Sequence, residues 1–331
     1  MKALGIDIGG SSVKAAIVEL AASDPHSTPS PRLTAADRGP SYARPDAVAL
    51  RSALHAAVRA ARAQDTGAAA SGFDAVGLCV PGVVDESTRR VVVSVNVPGL
   101  VGLALPDLAA ECAGQPAPDL LEVVSDARAA AHDWWESTAR SRAPGSPPRR
   151  LLAISLGTGV GACVLDDGRP LRVVGASSGH LGQIDVSLPA SPGVPTPIGP
   201  DGGRGSLEAY IGLAALRAHV PAHVPIEDAI ASLPPGSPPL RALTRAIRIA
   251  HALYRPDDIV LLGGVGIRLR HALPALRADI ADALTSLARP GWTLQCGSSD
   301  FHAAAGAARI ALDSARAALD PSRAGLPGDR A

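Results

Sequence analysis

Leu4-Gly5-Ile6-Asp7-Ile8-Gly9-Gly10-Ser11-Ser12-Val13-Lys14 is an apolar strand that enters a tight glycine turn and leaves it as a second apolar strand. The same pattern returns at Leu152-Ala153-Ile154-Ser155-Leu156-Gly157-Thr158-Gly159-Val160-Gly161. Without a Cβ, glycine lets backbone N–H groups approach phosphate oxygens closely. Two such turns facing each other make a phosphate clamp, so the pair reads as a nucleotide cleft and points to phosphoryl transfer. Neither is a Walker A loop, because the G-x-x-x-x-G-K-[ST] spacing is absent.

Outward from these turns, the pattern predicts strands over 3–8, 13–20, 76–80, 91–95, 121–124 and 259–262, with a short strand near 32–37. Helical spacing covers 46–64, 105–113, 127–135, 207–220, 239–253, 269–288 and 303–319. The stretches 21–45, 137–149 and 188–204 are rich in Pro, Ser, Gly or Arg and read as loops. Because the hairpin start recurs at 151, the chain reads as two related α/β halves with a cleft between them.

The 331 residues are long for one domain, and a hydrophobic content of 47% is ample for two cores. Lys+Arg and Asp+Glu are equal at 31 each, so the net charge of +0 gives no reason to expect a nucleic-acid or membrane surface. No apolar run is long enough to span a bilayer, and the chain enters its first strand with no signal-peptide pattern. The four cysteines, Cys79, Cys112, Cys163 and Cys296, include no C-x-x-C pair. Buried free thiols in a reducing cytoplasm are the expectation.

Asp7 ends a buried strand beside two glycines, an expensive place for a charge unless something uses it. It can hold Mg²⁺, directly or through water, next to phosphates, with Ser11, Ser12 and Lys14 adding donors and a positive charge. The alternative is a plain hairpin. Gly157-Thr158-Gly159 offers backbone amides and one hydroxyl, or is a structural turn. Asp126 stands where an apolar strand gives way to a helix: Ser125 or Asp126 caps that helix, or Asp126 is a general base at a strand's carboxyl end. Gly263-Gly264 closes another buried strand and either passes over an adenine ring or simply turns the chain. His180, flanked by glycines, is a sugar-hydroxyl partner or an ordinary polar residue. Glu208 opens a helix, as first-turn glutamates commonly do.

Taken together and in order, these motifs resemble the ROK family of sugar kinases and related repressors, within the actin/hexokinase/heat-shock ATPase superfamily. The resemblance covers about residues 2–315. It implies an α/β protein of two ribonuclease H-like (actin-like ATPase) domains: 1–124 together with a C-terminal helix at 303–319, and 125–302, with 320–331 a flexible tail. Asp7-Ile8-Gly9-Gly10-Ser11 looks like the first phosphate motif, Gly157-Thr158-Gly159 like the second, and Gly263-Gly264-Val265 like the adenosine motif. Val80-Pro81-Gly82 and Asn96-Val97-Pro98-Gly99 look like the sugar-side segment, and Ser125-Asp126-Ala127 matches the segment whose Asp is the catalytic base. The resemblance therefore implies ATP and Mg²⁺, with Gly82, Asn96, Ser125, His180, Gln183 and Glu208 facing the acceptor.

The departures are as informative. The family's Glu-x-Gly-His reads His180-Leu181-Gly182-Gln183 here, and its Cys-x-Cys-Gly-x-x-Gly-Cys reads Gly199-Pro200-Asp201-Gly202-Gly203-Arg204-Gly205-Ser206. All four zinc-ligand positions (Gln183, Gly199, Asp201 and Ser206) lack their usual residue, so no zinc is expected, and the Pro-rich 188–200 stretch is expected to supply stiffness instead. Ser125 replaces the usual Asn beside the base. With the phosphate side intact and the acceptor side altered, an acceptor other than plain glucose, or a changed preference among sugars, is expected. The expectation is thus a cytoplasmic, homodimeric ATP-dependent sugar kinase with no nucleic-acid partner. The alternatives are a non-catalytic sugar-binding regulator and a kinase using polyphosphate. A DNA-binding repressor is disfavoured because the chain starts at the first strand.

Overall fold

The computed structural model describes residues 1–20, 31–36, 38–66, 72–116, 120–139, 147, 149–173, 179–189, 195–285 and 291–319. The flexible tail expected over 320–331 lies outside these residues, as do parts of the loops read over 21–45, 137–149 and 188–204. The chain divides into two compact units, Met1–Asp133 with Phe301–Ala331, and Trp134–Asp300. The sequence reading placed this division at 124/125.

In the first unit, β1 (Lys2–Ile8) pairs antiparallel with β2 (Val13–Glu19), and β2 with β3 (Arg32–Ala35). Helix α1 (Ala47–Gln64) follows, its N-terminus capped by Asp46, which accepts from the Ala49 N–H. Then come β4 (Ala75–Cys79), the small hairpin β5 (Val83–Asp85) and β6 (Arg90–Val93), α2 (Leu105–Ala113), β7 (Leu121–Val124) and α3 (Asp126–Ala139). The main sheet has the order β3-β2-β1-β4-β7, with β1, β4 and β7 parallel.

All seven residues of β1 are buried, as in a strand covered on both faces. Its two faces differ in size. Leu4, Ile6 and Ile8 join Val76 and Leu78 in a core shared with Leu50 and Leu54 of α1 and Leu105 and Leu108 of α2. The alternate positions are small: Ala3 and Ala75 pack on Ala308 and Leu312 of the C-terminal helix, His302–Leu319. Gly5 and Gly77 lie side by side across the two strands. A Cβ on Gly5 would strike the Ala304 carbonyl, and one on Gly77 the Ala307 carbonyl. The alanine-rich helix thus lies with its backbone directly against the sheet, where close contact supplies the dispersion that its short side chains lack.

The second unit repeats the scheme. Strand β8 (Arg150–Leu156) pairs antiparallel with β9 (Val160–Asp166), and β9 with β10 (Arg169–Pro170). Helices α4 (Leu207–Ile211), α5 (Leu213–Arg217), α6 (Ile226–Ala231) and α7 (Pro238–Tyr254) follow. Then come β11 (Asp258–Leu262), the single turn α8 (Gly263–Gly266), α9 (Leu273–Asp282) and β12 (Thr293–Cys296). The sheet order β10-β9-β8-β11-β12, with β8, β11 and β12 parallel, is the first unit's order over again. In α7, Leu240, Leu243, Ala246, Ile247 and Ala250 face the core while Arg241, Arg245 and Arg248 are exposed, an amphipathic period of 3.6 residues.

Two helical expectations are corrected. The span 207–220 is two short helices, broken at Gly212, where ψ is 150°. The Leu213 N–H leaves the helical ladder and donates to the Gly157 carbonyl at 3.0 Å. The span 269–288 begins as a 3₁₀ segment, Ile267–Ala272, and becomes α-helical only at Leu273, ahead of Pro274, which suits a first turn. Residues 286–288 lie outside the described residues. Among the described residues no helix is long and apolar enough to cross a membrane.

Candidate active site

The first unit gathers its polar groups at the carboxyl ends of its parallel strands, where open α/β sheets place ligands. Asp7 stands opposite Cys79, and Cys79 opposite Val124. Strand spacing sets the ends of β1 and β7 about 10 Å apart. Asp7 is only 6% exposed, and Lys14, its cross-strand neighbour, meets its Oδ2 at 3.3 Å. The charge is therefore balanced where it is buried. Gly9 closes the turn by donating its N–H to the Ser12 carbonyl at 3.1 Å.

At the end of β7 the two readings of Ser125-Asp126 separate. The Ser125 hydroxyl accepts from the Arg128 N–H at 3.3 Å, the geometry of an N-cap. Asp126 is the first residue of α3, exposed, with Oδ1 accepting from the Ala127 N–H at 2.8 Å. The cap is thus Ser125, and the Asp126 carboxylate occupies the positive end of the helix. The buried Cys79 thiol registers both carboxylates. Burial raises its pKa most, Asp7 and Asp126 raise it further, and Lys14 opposes them.

Gly82 precedes β5 with φ +114°, and a Cβ there would strike the Val93 carbonyl, so only glycine fits. Asn96, partly exposed, follows β6 in the same segment. One residue of this unit escaped the sequence reading. Tyr42, in the stretch read as a surface loop, donates its hydroxyl to the Gly9 carbonyl at 2.7 Å and its backbone N–H to the Ser11 carbonyl at 2.8 Å. Burial, then Asp7, raises its phenol well above the ordinary range. The available signal was scarcity: the chain has three tyrosines, and aromatics make up 2% of it.

The second unit builds a comparable turn. Gly157-Thr158-Gly159 joins β8 to β9, and the Gly157 N–H donates to the Gly159 carbonyl at 3.0 Å. Glu208 of α4 reaches this turn: its Oε2 accepts from the Val160 N–H at 2.9 Å, and a Cβ on Gly159 would lie 2.9 Å from the same oxygen. Burial raises the Glu208 carboxyl, the Val160 bond lowers it, and Asp201 raises it further, for a net upward shift. Gly263, with φ +75°, packs against the residue before the turn, since its Cβ would fall 2.5 Å from the Leu156 carbonyl. The Gly264 carbonyl accepts from Arg268. The structure thus groups Gly157, Thr158, Gly159, Glu208, Gly263 and Gly264.

His180 and Gln183 are exposed and flank a 3₁₀ turn, where the Gln183 N–H donates to the His180 carbonyl at 2.9 Å. The other three positions at which the resemblance implies zinc ligands, Gly199, Asp201 and Ser206, converge. A Cβ on Gly199 would stand 2.9 Å from both Asp201 Oδ1 and Ser206 Oγ. Their donor set is one carboxylate and one hydroxyl, with neither thiolate nor imidazole, and does not suit zinc. Each has other work: Asp201 accepts from the Gly203 N–H at 3.1 Å, and Ser206 caps α4 by accepting from the Ala209 N–H at 3.3 Å. Backbone bonds from Gly199 to Gly203 (2.8 Å) and from Gly202 to Gly199 (3.0 Å) knit the loop.

The chain is similar to several known proteins. An N-acetylmannosamine kinase of Salmonella newport is 31% identical over 185 residues, which are 55% of this chain and 54% of the relative. The match thus spans about half the length of that curated protein. Among solved structures, the ROK family glucokinase from Streptomyces griseus in complex with glucose and AMPPNP has a TM-score of 0.63 at 21% identity, covering 94% of this chain and 99% of its own. A ROK family transcriptional regulator, a homologue of the E. coli MLC protein, has a TM-score of 0.63 at 18% identity, covering 96% of this chain and 80% of its own. At these identities the structural likeness is one of fold, the two-domain actin-like ATPase fold. The sequence profile of the ROK family matches residues 3–314, nearly the whole chain, and the chain belongs to that family.

Proposed function

We propose that this protein is an ATP- and Mg²⁺-dependent kinase that phosphorylates a hydroxyl of a sugar or sugar-like polyol, with Asp126 as general base. The observation that carries the reading is the placement at the end of β7: Ser125 caps α3 through its hydroxyl, and the exposed Asp126 carboxylate stands at the carboxyl end of the parallel strands, where open α/β sheets bind ligands. Family membership and the curated N-acetylmannosamine kinases support the acceptor class, and N-acetylhexosamines join hexoses among the acceptors to test.

The turn at Gly9, Gly10, Ser11 and Ser12 and the turn at Gly157, Thr158 and Gly159 bind the nucleotide's phosphates, and Gly263-Gly264 flanks the adenosine. Asp7 is a hard oxygen donor suited to Mg²⁺, through water where Lys14 already engages Oδ2. Bound there, the ion neutralises charge building on the phosphates. Gly82, Asn96, Ser125, His180, Gln183 and Glu208 orient the acceptor. Asp126 takes the proton of the acceptor hydroxyl as its oxygen bonds to the γ-phosphorus and the bond from that phosphorus to the ADP oxygen breaks.

Substitutions at Ser125, His180 and Gln183 favour a second reading, a sugar-binding regulator that does not catalyse. ADP release from Mg-ATP, measured against hexoses, N-acetylhexosamines and polyols in wild type and Asp126→Asn, decides between them. Turnover with one acceptor, lost in the variant, establishes the kinase. Silence across the panel with nucleotide and sugar still bound establishes the regulator. Turnover only when polyphosphate replaces ATP changes the donor.

A further inference from the structure

The first glycine turn is gripped by a residue that belongs to neither of its strands. Tyr42 holds two successive odd-numbered carbonyls, Gly9 through its hydroxyl at 2.7 Å and Ser11 through its own N–H at 2.8 Å. Nearby, the Gly39 N–H donates to the Val13 carbonyl at 2.9 Å, so the segment is latched along the turn and the start of β2.

A trans peptide group is planar, and its C=O and N–H point in opposite directions. The Gly9 carbonyl shares a peptide group with the Gly10 N–H, and the Ser11 carbonyl shares one with the Ser12 N–H. With both carbonyls drawn to Tyr42, both N–H groups are turned away from it. Neither has a hydrogen-bond partner among the described residues, although Ser12 is only 4% exposed. Buried backbone donors are rarely left unpaired, and successive N–H groups aimed to one side form a concavity for an anion.

We infer that Tyr42 is a positioning residue for the donor's phosphate chain, aiming the Gly10 and Ser12 amides at a phosphate oxygen by holding the carbonyls behind them. The inference rests on the reading of this turn as a phosphate site. Tyr42 touches no reacting atom. It fixes the turn in its binding shape before the ligand arrives, so that less order has to be imposed on binding.

The test is Tyr42→Phe, which keeps the ring and removes only the hydroxyl. Mg-ATP binding is measured by titration calorimetry at 10 °C, and steady-state constants are measured for nucleotide and acceptor. Loss of one neutral hydrogen bond predicts Kd and KM for the nucleotide about five- to tenfold higher. The acceptor KM and the melting temperature stay near wild type. Nucleotide affinity within twofold of wild type overturns the role, and so does a variant that melts earlier yet binds Mg-ATP normally at 10 °C. If wild type itself binds no Mg-ATP, the phosphate reading of the turn fails and Tyr42's role fails with it, so the two failures are distinct.

Discussion

Replacing Asp126 by Asn separates chemistry from architecture, and the structure sets the size of each effect. General-base catalysis contributes about 10²- to 10⁴-fold, or about 3–5 kcal/mol of transition-state stabilisation, and an amide cannot supply it. The structural loss is small. Asn keeps an oxygen that accepts from the Ala127 N–H, as Asp126 Oδ1 does now at 2.8 Å. The cap stays with Ser125, and only the favourable charge at the helix N-terminus disappears, worth about 0.3–1 kcal/mol. Asp126→Asn is therefore expected to lose at least about 100-fold in kcat while its unfolding free energy in urea changes by less than about 1 kcal/mol. Mg-ATP affinity stays within a few-fold of wild type. The Cys79 thiol, which Asp126 helps to raise, titrates lower in the variant. The assays are coupled ADP release at saturating substrates, calorimetric nucleotide binding and urea denaturation. A variant that turns over within tenfold of wild type refutes the base assignment. One that loses nucleotide binding in proportion to turnover shows that Asp126 holds ligand and does not move a proton.

Other substitutions probe different parts of the structure. Gly77→Val places a side chain where the Ala307 backbone already lies and is expected to lower unfolding free energy by at least about 1–3 kcal/mol in urea; an unchanged midpoint would show that the helix is not seated on the strand. Glu208→Gln acts on a carboxyl whose folded pKa is raised, so the folded state holds its proton more tightly, and stability falls as pH climbs from 4.5 towards the folded value. The variant is therefore expected to melt above wild type at pH 7 and level with it at pH 4, while its acceptor KM rises. His251 is buried against Trp292, its Nε2 has no hydrogen-bond partner among the described residues, and burial lowers its pKa. Its stabilisation is complete above the ordinary value of 6.5 and lost as pH falls below it, so wild type should lose melting temperature from pH 7 to 5 faster than His251→Leu. Equal slopes would remove His251 as an acid-sensitive site.

The sequence was most legible where the backbone pattern is strongest. Both hairpins, β4, β7, β11 and the C-terminal helix were readable because buried apolar runs and glycine turns need no partner to be recognised. Two elements were not: β12 buries only Leu294 of its four residues, so no apolar run marks it, and the six residues of α6 are too few for a helical period to emerge. The break at Gly212 was hidden because its cause is distant in sequence, a bond from Leu213 to Gly157. In the site, the glycine turns and Asp126 were visible as residue types at strand ends. Which of Ser125 and Asp126 caps α3 was not, because both cap well and only the hydroxyl's geometry chooses. Tyr42 had only its scarcity to mark it, because it acts through a loop whose path nothing local dictates.

The seating of the C-terminal helix on Gly5 and Gly77 has a consequence for biosynthesis. The first unit's sheet is complete in sequence by Val124, yet one face of it stays open until residues 302–319 have been made. At ordinary translation speeds of about 5–20 residues per second, the intervening stretch of about 180 residues takes roughly 10–35 s to synthesise. Throughout that interval the nascent sheet lacks the cover of its Ala3, Gly5, Val18, Ala75 and Gly77 positions, a strip of small residues and near-bare backbone. Residues 302–319, made only after the whole of the second unit, are thus the piece that closes the first.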